Sequence, residues 1–126
     1  MILIVGGAEQ AKLEYALALT KADRAQSVDG GTCEAGEIYT AKILDGLHRF
    51  IRRCLDEGRD VSGLAQEIME RNPSLTIICD ELGCGIVPMD PQDRLWRETT
   101  GRLCVELAQR AERVDRVVCG LGQRLK

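Results

Sequence analysis

Two uninterrupted runs of apolar or β-favouring residues, Met1–Val5 and Leu75–Cys79, constrain this chain more than anything else in it. Neither alternates with polar residues, which is the pattern of strands buried on both faces of a parallel sheet. Each run stops at residues suited to a strand exit: Gly6-Gly7 after the first, Asp80-Glu81 after the second. In open α/β sheets ligands gather outside the carboxyl ends of the strands. Both exits are therefore site candidates on physical grounds alone.

Between and after these runs the apolar period changes to that of helices. Leu13, Ala16, Leu17 and Thr20 recur at helical spacing, with Glu9, Lys12 and Lys21 outside the stripe. Residues 26–29 read as a short second strand, 29–32 as a turn cluster, and 33–40 fit no regular pattern. The segment 43–57 reads as an amphipathic helix, with Ile43, Leu44, Leu47, Phe50, Ile51, Cys54 and Leu55 on one arc. Asp45, Arg49, Arg52, Arg53 and Asp56 fall opposite, as a solvated face, and Gly58 caps the end. A shorter helix is expected from Ser62 to Arg71, where Asn72-Pro73 stops it. After the second apolar run, Asp90 or Asp93 caps a long helix reaching about Arg113. Its buried stripe is Trp96, Thr100, Leu103, Leu107, Ala111 and Val114. A last strand, 116–119, turns at 120–122 and returns through 123–126. Strands alternating with helices predict one α/β domain, 1–126, with a mainly parallel sheet flanked by helices and an antiparallel C-terminal edge.

Composition narrows the function. The net charge of −3 argues against a dedicated nucleic-acid surface, which needs clustered positive charge. No apolar run approaches the roughly 20 residues that span a bilayer, and Met1–Val5 lacks the basic flank of a secretory signal. The six cysteines include no C-x-x-C pair and no nearby histidine, so neither zinc nor a disulfide framework is indicated. They read as small buried hydrophobes of a cytoplasmic protein.

The first strand exit carries part of a phosphate loop. In G-x-x-x-x-G-K-[ST], backbone N–H groups cradle phosphate, the lysine reaches the terminal phosphates and the hydroxyl binds magnesium. Here Gly6, Gly7, Ala8 and Lys12 keep the frame, Ala11 stands for the second glycine, and Leu13 replaces the hydroxyl. Glu9 adds a carboxylate where a helix N-terminus attracts anions. Lys12 reads either as the phosphate contact or as a solvated helix residue. Asp80 and Glu81 suit a magnesium-holding or water-orienting role, or else cap a helix or pair with Arg94 or Arg97.

The second exit extends to Asp80-Glu81-Leu82-Gly83-Cys84-Gly85-Ile86-Val87-Pro88, with Arg94, Arg97 and Gly101-Arg102 following. This stretch resembles the Asn-Glu-Val-Gly-x-Gly-Ile-Val-Pro loop and Arg-rich helix of the bifunctional adenosylcobinamide kinase/adenosylcobinamide-phosphate guanylyltransferases of cobalamin biosynthesis. The Gly6-Gly7-Ala8 turn and the ending Val117-Val118-Cys119-Gly120-Leu121 are similar too. The resemblance implies a phosphate-loop NTPase fold of RecA-like type, symmetric homo-oligomers, and ATP or GTP with magnesium acting on a corrinoid. It implies a nucleotide contact for Gly6, Gly7, Ala8 and Lys12, and a catalytic role for Lys12 and Glu81. Leu44-Asp45-Gly46-Leu47 resembles the family's strand-ending acid, which puts Asp45 with Asp80 as metal-site acids; Asp45 reads otherwise as an N-cap or surface acid. The family's guanylyl-accepting histidine has no counterpart. His48, the one histidine, lies at the edge of an apolar arc and reads either as packing or as a replacement acceptor. The implied reaction is phosphoryl or nucleotidyl transfer to a cobinamide, weakened or lost; the alternative is a non-catalytic binding or assembly module.

Overall fold

The computed structural model describes residues 1–83 and 89–126. The Cys84–Pro88 part of the loop singled out above lies outside the described residues. Six strands form one sheet: β1 (Ile2–Gly6), β2 (Ser27–Asp29), β3 (Ile43–Asp45), β4 (Thr76–Asp80), β5 (Arg113–Val118) and β6 (Leu121–Arg124). Their spatial order is β2-β3-β4-β1-β5-β6, parallel throughout except for the antiparallel β5–β6 edge. The expected α/β architecture therefore holds. β1 lies between β4 and β5, and Gly6 is in register with Asp80, so the two apolar runs end side by side.

Alternation along the strands separates two cores. Leu3, Leu44 and Ile77 face a larger cluster filled by α2 (Leu47–Asp56), α3 (Leu64–Arg71) and α4 (Pro91–Arg110). Ile4, Ile43, Ile78 and Val117 face a smaller one, covered by Ala16 of α1 (Lys12–Thr20) with Leu13 and Leu17 beside it.

Several boundaries differ from the expected ones. Residues 43–45 are strand β3, not the start of a helix, and α2 begins at Leu47. A wheel cannot separate these cases, because a short doubly buried strand and a helix both appear as an apolar run. Gly46, at φ 92°, breaks the chain between them. The end of α2 follows expectation: Gly58 at φ 71° with Arg59 N–H on Cys54 O and Gly58 N–H on Leu55 O is a Schellman motif. α3 starts at Leu64 because Ser62 is held by Asp60 through its N–H and hydroxyl, 2.9 and 3.0 Å. Residues 35–39, unassigned from the sequence, form a 3-10 turn. Asp90 caps α4 by accepting from Gln92 N–H, with Pro91 at the first helical position. α4 stops at Arg110, so Ala111 and Val114 are buried from the turn and β5 rather than from the helix.

The arginines of α2 are not a solvated face. Arg53 donates to Gly30 O and Cys33 O, Arg49 reaches Asp29, and Arg52 joins Asp93 at 2.6 Å. Of the cysteines, Cys33, Cys54 and Cys79 are buried as expected. Cys104 is half-buried, and Cys119 is exposed in the β5–β6 turn, contrary to expectation.

Candidate functional site

The loop leaving β1 closes on itself. Lys12, placed outside the apolar stripe by its sequence spacing, is instead buried at 6% exposure. Its ammonium donates to Gly7 O at 2.5 Å and pairs with Asp80 Oδ1 at 2.8 Å. This follows from topology: β1 and β4 are neighbours in register, so the first lysine of α1 lies over the last residue of β4. Gly6 sits under the carbonyl of Val117, and its own carbonyl accepts from Glu81 N–H at 2.9 Å. Gln10 secures the far side of the loop. Its carbonyl takes Gly120 N–H at 3.0 Å and its Oε1 takes Cys119 N–H at 2.6 Å.

Glu9 and Ala11 both lie in the left-handed region, at φ 56° and 63°. For a residue with a Cβ this conformation costs roughly 1–2 kcal/mol, and Ala11 is where the phosphate-loop pattern has glycine. Ala11→Gly is therefore expected to raise stability by about 1 kcal/mol in urea denaturation. An unchanged midpoint would mean that Ala11 carries no strain.

His48 completes the cluster, and its place here was missed from the sequence. It stands in the first turn of α2, just beyond the exit of β3, and is buried. Asp80 N–H donates to its Nδ1 at 3.1 Å, which leaves the ring proton on Nε2, 3.3 Å from Asp80 Oδ2. Both ring nitrogens are thus committed to one residue. Trp96 Nε1–H donates to the His48 carbonyl at 2.7 Å and holds that turn against α4. The available signal was positional: His48 lies three residues beyond Asp45, at the same end of the sheet as Asp80.

Burial holds the His48 pKa below its ordinary 6.5, despite the attraction of Asp80. The unfolded chain consequently takes up this proton first. Stability is complete above about pH 6.5 and declines below it, by at most about 1.4 kcal/mol per pH unit, until folded His48 protonates as well. His48→Gln is expected to remove that part of the acid limb. An identical pH–stability curve in the variant would refute the assignment.

The remaining acids separate. Glu81 turns to β5, where Arg116 grips it through two bonds of 2.8 and 3.2 Å. Arg116 was not anticipated; it sits opposite Val5 in the β1–β5 register. Asp45 ends β3 half-buried, 3.9 Å from Arg49. Burial pushes its carboxyl up, and the charges of Lys12 and Asp80 are near enough to act on it. A groove of about 310 Å³ opens beside Asp80 and Glu81, with Val5, Arg97, Thr100 and Cys104 among its walls.

The arrangement brings Gly6, Gly7, Lys12, Asp80 and His48 together, with Asp45 on one flank and Glu81 on the other. Ala8 lies on the loop between Gly7 and Glu9. As it stands, the donor set does not fit a protein-held magnesium ion. Asp80 Oδ1 is taken by Lys12, Oδ2 faces His48, and Leu13 supplies no hydroxyl. Among the described residues no group of three His, Cys, Asp or Glu side chains is placed to hold a metal. No helix among them is long and apolar enough to cross a membrane.

A family model described as "Cobinamide kinase / cobinamide phosphate guanyltransferase" matches residues 33–125. That span includes Asp45, His48, Asp80, Glu81 and Arg116 but not the loop from Gly6 to Lys12. Comparison with curated proteins gives no match.

Proposed function

The chain belongs to the cobinamide kinase / cobinamide phosphate guanyltransferase family, and from that premise we propose that it recognises ATP or GTP at the carboxyl ends of β1, β3 and β4, with phosphoryl transfer to a cobinamide weakened or lost. One observation carries this reading: the buried Lys12 ammonium lies between Gly7 O and Asp80 Oδ1. A phosphate must compete with a carboxylate 2.8 Å from its lysine. In an effective kinase that lysine and a metal-binding hydroxyl are both available to the nucleotide.

In this reading the backbone of Gly6, Gly7 and Ala8 forms the cradle, and Lys12 contacts phosphate once released. Asp80 is the gate on that lysine. Glu81, oriented by Arg116, is the acid positioned to direct an acceptor hydroxyl or water. Asp45 is the second acid available should Asp80 and a nucleotide share a magnesium ion. The chain would act as a homo-oligomer, the arrangement that the family resemblance implies.

Calorimetric titration of ATP and GTP, with and without magnesium, tests the reading. The wild-type chain is expected to bind weakly, with no gain from magnesium. Asp80→Asn, which frees Lys12, is expected to tighten binding tenfold or more, a change of about 1.4 kcal/mol. Lys12→Met added to that variant should abolish the gain. Micromolar, magnesium-dependent binding with turnover of a cobinamide by the wild type would instead establish a working kinase. No binding in either wild type or Asp80→Asn would leave the assembly module.

A further inference from the structure

Two sulfurs meet behind the site, and no role described above uses them. Cys79 immediately precedes Asp80 in β4 and is fully buried. Alternation along the strand turns it, like Ile77, to the face covered by α4. Cys104 projects from α4, half-buried, and packs against the same cluster. The two thiols meet in a hydrogen bond. The backbone oxygen of Asp80, at 3.5 Å, is a further polar neighbour of the Cys79 sulfur.

The pair is reached from one side. Cys104 lies on the wall of the groove of about 310 Å³ that opens beside Asp80 and Glu81. Val5, the partner of Cys79 in the β1–β4 register, is on the same wall. A reagent in the groove thus meets Cys104 first, with Cys79 behind it. One helical turn before Cys104, and also on that wall, Thr100 is 2% exposed and its hydroxyl has no hydrogen-bond partner among the described residues. Residues four apart are neighbours on a helix surface, so this hydroxyl is a spare donor for a sulfur that becomes charged. The hydrogen bond from Cys79 already holds the Cys104 thiol below the usual cysteine range, against the effect of burial. A stabilised thiolate beside a second thiol is the arrangement that exchanges with disulfides. Packing alone requires none of these features.

We propose that Cys104 and Cys79 are a modification site, joined as a reversible disulfide by exchange with a low-molecular-weight disulfide entering the groove. The Cys104 thiolate attacks one sulfur of the reagent, whose S–S bond breaks as a mixed disulfide forms and one small thiolate leaves. Cys79 gives up its proton to that thiolate, attacks the Cys104 sulfur and expels the second small thiol. Two protein thiols are oxidised, one disulfide is reduced to two thiols, and no other oxidant takes part. The new bond staples α4 to the end of β4, one residue from Asp80. The inference is independent of the nucleotide reading.

Disulfide mapping of the full chain tests it. The reduced protein is held in glutathione disulfide, quenched in acid, unfolded, alkylated and digested. Cleavage at Asp80 and Glu81 separates Cys79 from Cys84, so the linked residues are identified. The expected result is a Cys79–Cys104 cross-link, with alkylation of both residues reduced at least tenfold and recovered in excess reduced glutathione. Cys79→Ala should stop the exchange at a mixed disulfide on Cys104. Cys104→Ser should leave the buried Cys79 free of glutathione. Exposed Cys119 reports in the same sample that the reagent was active. Glutathione on Cys119 while Cys79 and Cys104 stay unlinked would overturn the proposal, as would a cross-link that forms only in urea. Thermal melts check the fold of both variants, and mapping of the wild type decides the question without them.

Discussion

Lys12→Met is expected to lower the folding free energy by about 2–3 kcal/mol at pH 7. The substitution keeps most of the buried stem but leaves Asp80 facing Gly7 O and His48 without its cation. Breaking one side of a fully buried ion pair costs about 3–5 kcal/mol. Asp80 retains 21% exposure, so water recovers part of that and the lower figure applies. Asp80→Asn in the same chain should return more than half of the loss, because the stranded carboxylate is then gone. The four-way comparison gives the coupling between the two groups, read from urea midpoints with unchanged slopes. A loss under about 0.5 kcal/mol in Lys12→Met would show that the pair is open in solution. In that case the weak-kinase reading would lose its support.

The second large effect distinguishes two adjacent glycines. A Cβ on Gly6 would lie 2.5 Å from the backbone oxygen of Val117, and 3.4 Å from the Lys12 stem. The first obstacle is main chain of β5, which is paired with β1 up to Val5–Arg116 and with β6 at Val117, and so cannot withdraw. Gly6→Ala is expected to cost roughly 3 kcal/mol or more, in the range of overpacked cores. A Cβ on Gly7 would meet only the Gln10 side chain, at 3.8 Å, so Gly7→Ala should change stability by less than about 1 kcal/mol. Equal losses in the two variants, read from thermal midpoints, would refute this steric account. Motif reading assigns both glycines to phosphate binding. The packing gives the first a separate reason to be there.

Much of the fold was legible because the two middle strands of the sheet, β4 and β1, are also the most apolar. Met1–Val5 and Leu75–Cys79 announced the two strands that end side by side. β3 was hidden because it has only three residues and runs into a helix of the same apolar character, with Gly46 the sole break. Within the site, the strand exits pointed to Lys12, Asp80 and Glu81 and the family resemblance to Asp45, but neither could say which of them would meet. That depends on pleat and register: consecutive residues of a strand point to opposite faces. Asp80 therefore turns to Lys12 and His48, while Glu81 turns to Arg116. His48 was undervalued because its apolar neighbours on the wheel describe only the buried half of its surroundings.

The grip of Gln10 on Cys119 and Gly120 has a consequence for handling this protein. Those two bonds make the C-terminal hairpin a brace for the loop that carries Lys12, although more than a hundred positions separate them in the chain. A tag, label or cross-linker attached at exposed Cys119 would therefore be felt first at the lysine. Probes meant to report on this site without disturbing it belong on the far rim of the sheet.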